Sequence, residues 1–158
     1  MQTEQQPSID LLAVEPELVR ASSLKRFLNY LIDIFSFYFF LIVLGILLAV
    51  LAPESIDDLD AFSTYNPLLD RLFSLLLYAV YMSLVEGIFK GKTLGKLITG
   101  TRAVYEDGSR ISFSTAFGRG FSRAVPFVAF SAFGDPSNPW QDRWTNTYVI
   151  DERASKLN

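Results

Sequence analysis

Asp33 stands seven residues after Arg26 in the run LKRFLNYLIDIFSFYFF, with Phe, Tyr, Leu and Ile around it for two turns. On a helix the two share a face, about 10.5 Å apart along the axis, with Asn29 and Tyr30 between them. A carboxylate in such surroundings must find a cation, a donor, a proton or water. Three roles fit. Asp33 can exchange a proton for a cation and so couple ion movement, it can pair with a local base as a static anchor, or it can contact a partner protein. Glu86 is a second acid, close to the end of the next apolar stretch, and reaches a depth similar to Asp33 if the two helices are antiparallel. Its plainer reading is a helix end in the headgroup layer. Arg119 and Arg123, four apart in FGRGFSR, lie on one helical face and supply candidate counter-charges. The candidate ion-coupling or buried charge cluster is therefore Asp33, Glu86, Arg119 and Arg123. Asp142 sits between Trp140 and Trp144 in WQDRW; the indoles read as interfacial anchors, and the acid can cap a helix or meet Arg26.

Much other chemistry is excluded. The chain has no Cys and no His, which removes the usual zinc and iron–sulfur sites, thiol nucleophiles and imidazole bases. No two spans carry paired acids of the aspartic type, and no serine has a lysine partner at apolar depth. The segment GKTLGK contains the Gly91-Lys92-Thr93 ending of a phosphate-binding loop. The glycine needed five positions earlier is instead Glu86, however, and an apolar helix precedes the segment where a strand should. The expectation is thus no enzyme, no cofactor and no metal. Gly91, Lys92, Thr93, Gly95, Lys96 and Gly100 read as a glycine-hinged basic turn that follows anionic headgroups through Lys90, Lys92 and Lys96. A net charge of −3 and a pI near 4.9 argue against nucleic acid as a partner.

The elements that must position these residues follow from the apolar pattern. Half of the 158 residues are hydrophobic, mean hydropathy is +0.26, and residues 34–52 run for 19 positions without a charge. About 20 apolar residues cross the hydrocarbon core of a bilayer. A first span is expected over about 24–52, capped by Ser22 or Ser23 and stopped before Pro53; a second covers about 68–89. Between them PESIDDLDAFSTYNP reads as a loop with four acids and no Lys or Arg. A third apolar segment, about 111–133, carries the two arginines and Pro126. It reads as a tilted, kinked or re-entrant helical segment, with re-entry slightly favoured. Thr93–Thr99 fits a short interfacial helix. Thr101–Glu106 fits a strand ending in the Asp107–Gly108 turn, and the similar 147–152 stretch is its natural pairing partner. The fold class is an all-α membrane protein with a small cytoplasmic β element. Residues 1–20 form an N-terminal tail, 21–153 the membrane domain and 154–158 a C-terminal tail.

Lys and Arg set the orientation. Arg20, Lys25 and Arg26 precede the first span, and Lys90, Lys92, Lys96, Arg102 and Arg110 follow the second, whereas the connecting stretch is acidic. The positive-inside rule puts the N-terminus and residues 90–110 in the cytoplasm and the acidic stretch outside.

The combination ASSLKRFLNYLID, EGIFKGKTLGKLITGTRAVYEDGSRIS, FGRGFSRAVPF and WQDRWTNTYVID resembles the RDD family of small prokaryotic integral membrane proteins. The resemblance covers roughly residues 20–153. It implies that the arginine and two aspartates for which the family is named fall on Arg26, Asp33 and Asp142, and that GKTLGK with Gly100 is its characteristic cytoplasmic turn. It also implies a multi-pass protein of a bacterial cytoplasmic membrane. A transport role has been suggested for the family, and sodium/proton exchange for some members. Two functions follow as expectations. One is a small ion- or proton-coupled transporter acting as an oligomer, because two or three spans cannot enclose a pathway. The other is a non-catalytic scaffold or accessory subunit of a larger membrane complex. Either way the partners are the bilayer and other membrane proteins, further copies of the chain included.

Overall fold

The computed structural model describes residues 17–125, 131 and 139–155. In chain order it contains α1 (Ser23–Leu51), α2 (Glu54–Tyr65), α3 (Pro67–Ile88), α4 (Leu94–Thr99), β1 (Thr101–Tyr105), α5 (Phe113–Arg123), α6 (Trp140–Trp144) and β2 (Thr147–Asp151). The first helix starts where a side-chain cap is available: the Ser22 hydroxyl accepts from the Lys25 amide. At 29 residues it is about 43 Å long. It and the 22-residue α3 are both long and apolar enough to cross a bilayer.

The burial pattern of these two helices is inverted relative to a soluble core. The buried residues of α1 are Arg26, Asn29, Asp33 and Phe37, a single stripe at three- and four-residue spacing, while Phe35, Phe39, Ile46 and Val50 are exposed. In α3 the buried set is Ala79, Met82, Ser83 and Glu86, with Leu68, Leu72 and Phe73 outward. Polar groups inside and large apolar groups outside suit an apolar solvent, where polar atoms must be satisfied within the protein. The two helices meet through rings. Phe37 packs edge-on against Tyr78 at 5.1 Å between centroids, Phe40 stacks on Tyr81 at 5.0 Å, and Ser36 is hydrogen-bonded to the Tyr81 hydroxyl.

At one end of this pair sits a small cap. β1 and β2 pair antiparallel, with Thr101 opposite Asp151, Ala103 opposite Val149 and Tyr105 opposite Thr147. The segment just before α1 joins the free edge of β2: the Ala21 amide donates to the Val149 carbonyl and the Asp151 amide to the Val19 carbonyl, both at 2.9 Å. Residues 19–21, at the end of the expected tail and the start of the membrane domain, thus lie along β2, which offers them unpaired backbone groups. Ala21, Ala103, Ile111, Ala116 and Val149 form the apolar core of the cap.

Two further expectations change. The acidic stretch expected as a loop contains α2, with Pro53 at its N-cap and Glu54 and Asp57 in its first turn, where carboxylates favour helix starts. The described α-helix of the third apolar segment is α5. Its 11 residues span about 16 Å, too little to cross a bilayer. Pro126 and the expected kink lie outside the described residues.

Candidate functional site

The start of α1, the end of α3, and α4, α5 and α6 converge below the cap, where their charged side chains form one continuous network. Arg26 donates from Nη1 to Asp142 Oδ2 at 2.6 Å, and its other nitrogens reach the carbonyls of Ala21 and Val149, each at 3.2 Å. Arg119 Nη1 takes the other oxygen of Asp142 at 2.7 Å and also donates to the Thr147 hydroxyl. Arg119 Nε bonds Glu86 Oε1 at 2.9 Å, and Lys96 Nζ shares that oxygen at 2.5 Å. Arg123 completes the chain, with Nη2 3.1 Å from Glu86 Oε2 and Nη1 3.3 Å from Asp33 Oδ2. The remaining oxygen of Asp33 accepts the Gly95 amide at 2.9 Å.

Local sequence explains why these groups can meet. Thr93 caps α4 by accepting from the Lys96 amide, and Gly95 lets α4 lie directly on α1. A Cβ on Gly95 would stand 2.4 Å from the Asn29 carbonyl oxygen and 2.7 Å from its Cα. Gly120 does the same for α5 on α3, where a Cβ would fall 2.7 Å from the Ala79 carbonyl oxygen. Asn29 ties this junction to the sheet: its amide lies between the hydroxyls of Thr99 and Thr101, at 2.5 and 2.9 Å.

Burial is nearly complete. Glu86 and Arg119 are 0% exposed, Asp142 1%, and Asp33 and Lys96 2%. Burial works against the Arg119 charge, but Glu86 and Asp142 outweigh it and hold the guanidinium firmly protonated. Burial would also raise the Asp142 carboxyl, yet Arg119 and Arg26 together keep it below the usual carboxylate range. For Lys96 burial wins: it pushes the ammonium down to about 8, although Glu86 pulls the other way.

The expected cluster of Asp33, Glu86, Arg119 and Arg123 is thus assembled, and Arg26 joins it through Asp142. Glu86, two residues from the end of α3, is enclosed by α5 and by the Lys96 ammonium of α4 and so does not face outward. Lys96 turns inward to Glu86, and Lys92 pairs with Glu152 at 2.6 Å, which leaves Lys90 as the exposed cation of that turn. Gly91 and Gly100 hold left-handed backbone at φ 95° and 71°, as a tight turn requires. Trp140 and Trp144 stack at 5.8 Å, with Trp144 outward. Sequence reasoning missed Lys96 as a cluster member. Its partner lies ten residues back across a turn, and nothing in GKTLGK separates a buried lysine from a surface one.

Among the described residues no group of three or more acids could hold a metal ion. The open cleft between α1 and α4 is walled by apolar side chains such as Phe35, Phe39, Val43 and Ile98, with Ser36 and Tyr81 engaged with each other.

A family model described as the RDD family matches residues 20–136, about three quarters of the chain. The chain belongs to the RDD family. The match includes Arg26, Asp33, Glu86, Lys96, Arg119 and Arg123 and ends before WQDRW, so Asp142 is tied to the site by its geometry. Membership of this family and the two outward-apolar helices together point to a membrane protein. No curated protein matches the chain. No solved structure matches it either.

Proposed function

We propose that this RDD protein is a non-catalytic membrane scaffold, an accessory subunit that presents its apolar helices to a larger membrane complex and its cap to the cytoplasm. The observation that carries this reading is the occupation of the carboxylates. Asp33, Glu86 and Asp142 each face at least one guanidinium, and a guanidinium does not release its proton in a protein. A cation-exchange site needs a carboxylate that sheds its partner in every cycle. Here each acid is held by arginine, and Asp33 by a backbone amide as well. Such a network fixes one arrangement of five helices, which suits a platform.

In this reading the N-terminus and residues 90–110 are cytoplasmic, by the distribution of Lys and Arg, and acidic α2 faces outward. Re-entry of the third segment, with both its ends on the cytoplasmic side, is part of this reading. What supports it is that Arg123 at the end of α5 and Asp142 on α6 both belong to the same network. The exposed Phe113, Phe117 and Phe121 on α5, and Leu94, Leu97 and Ile98 on α4, then rest in the interface. The membrane is the bacterial cytoplasmic membrane, and the partners are other membrane proteins, further copies of this chain included.

The test is Asp33→Asn in the native membrane. The expected result is a severalfold fall in protein abundance and in recovery of any stoichiometric membrane partner. Unchanged abundance and assembly, with loss of a cation-dependent proton flux, would instead make Asp33 an ion-coupling site.

A further inference from the structure

Glu86 is the acceptor for three cations at once: Lys96 at 2.5 Å, Arg119 at 2.9 Å and Arg123 at 3.1 Å. The network as a whole holds four cations, Arg26, Lys96, Arg119 and Arg123, against three carboxylates, Asp33, Glu86 and Asp142. A surplus positive charge away from water is expensive. Two of its buried nitrogens, Arg119 Nη2 and Arg123 Nε, find no acceptor, so hydrogen bonding does not offset the excess. The surplus can be removed by an added anion or by loss of a proton. Only one of the four cations can lose a proton in the ordinary pH range, because the other three are arginines.

We propose that Lys96 is a proton-exchange site, which gives up its proton to water under mildly alkaline conditions and leaves a neutral amine inside an otherwise unchanged network. The N–H bond breaks, its electron pair stays on Nζ, and the proton leaves on a water or buffer base. The neutral amine still donates to Glu86 and to the Gly91 carbonyl, now 3.3 Å away. Arg119 and Arg123 stay paired with Glu86 in both states.

The groups that face Lys96 all bear on this. From α3 comes Glu86, which accepts from Nζ, and from α5 come Arg119 and Arg123, which share that carboxylate; Asp33 on α1 joins through Arg123. Asp142 on α6 joins the same network through Arg119, and Arg102 on β1 is already paired with Glu152 at 2.9 Å. Burial, which lowers Lys96 to about 8, agrees with the charge count. The other described lysines lack this setting: Lys25 pairs with Asp151 and Lys92 with Glu152 at partly exposed sites, and Lys90 is exposed. The inference stands on the network itself and goes beyond the scaffold reading, so it is tested on the purified chain without a partner.

The experiment follows the lysine Cε and Nζ resonances of the isotope-labelled full chain in nanodiscs from pH 6 to pH 11, in buffer free of phosphate. The expected result is one lysine titrating near pH 8, absent from Lys96→Gln. Arg123→Gln removes a competing cation and keeps Glu86 paired; it should raise the Lys96 midpoint by about one unit, a tenfold gain in proton affinity. A wild-type Lys96 midpoint above 10 would overturn the proposal. So would a midpoint near 8 that Arg123→Gln leaves unmoved, or one that inorganic phosphate raises above 10, since a bound anion would then carry the compensation.

Discussion

Arg26 and Asp142 stand 116 residues apart in the chain, and their side chains meet at 2.6 Å beside β2. The contact ties the first turn of α1 to the short α6, and Arg119 grips the second oxygen of the same carboxylate at 2.7 Å. One acid thus fastens three helices. Without it the buried Arg26 guanidinium would lose its counter-charge and Arg119 one of its two, Glu86 being the other, which is the costly direction in which to break a buried pair.

Asp142→Asn should therefore destabilise the protein by about 3–5 kcal/mol, the range for removing one partner of a buried ion pair. Thermal unfolding of purified protein in mild detergent measures it. A change below about 1 kcal/mol would mean that the network is decorative.

The same residue gives a pH dependence. Burial would raise the Asp142 carboxyl, but Arg119 and Arg26 hold its folded value below the ordinary range. The ordinary value is about 3.9. Stability from this group is therefore present above about pH 4 and is lost as pH falls through the lower folded value. The stability gap between wild type and Asp142→Asn should be constant from neutral pH to about pH 5 and should narrow on further acidification. A gap that widens there would contradict the sign.

Glycine substitutions separate close approach from mere helix position. Gly95→Ala puts a methyl 2.4–2.9 Å from the Asn29 backbone, which cannot move without shifting α1. Gly45→Ala meets nothing within 4 Å. The first should lower the unfolding temperature markedly and disturb the Asp33 contact to the Gly95 amide. The second should be neutral or slightly stabilising, by up to about 1 kcal/mol, since alanine is the better helix former.

The spans and the pairing of the two strands were legible because each depends on local pattern: an uncharged run of 19 residues, a Ser cap, a Thr-led strand repeated at 147. Arg119 and Arg123 were legible as counter-charges because charge in apolar sequence demands a partner. Three features were not. Lys96 looked like a headgroup lysine, because its burial depends on Gly95 seating α4 on Asn29, a tertiary fact. The helix in the acidic stretch was hidden by its low hydropathy, although Pro53 followed by Glu54 was a usable start signal. The strand-like pairing of residues 19–21 depends on β2, some 130 residues later, which no local window contains.

Because the chain has no cysteine, single introduced thiols report sidedness cleanly. Asp58→Cys in α2 should react with a membrane-impermeant reagent added to intact cells. Ser109→Cys in the turn after β1 and Arg143→Cys on α6 should react only after the cytoplasmic side is opened. Outside labelling at Arg143→Cys would mean that the third segment crosses rather than returns.

The most direct test of the central claim, that the buried carboxylates hold the fold and do not exchange ions, is cation-driven proton flux in proteoliposomes of the purified full chain. The expected result is flux no greater than in empty vesicles, from protein shown to be folded. Flux from the wild type that disappears in a folded Asp33→Asn protein would contradict the account and make Asp33 the coupling site of a transporter.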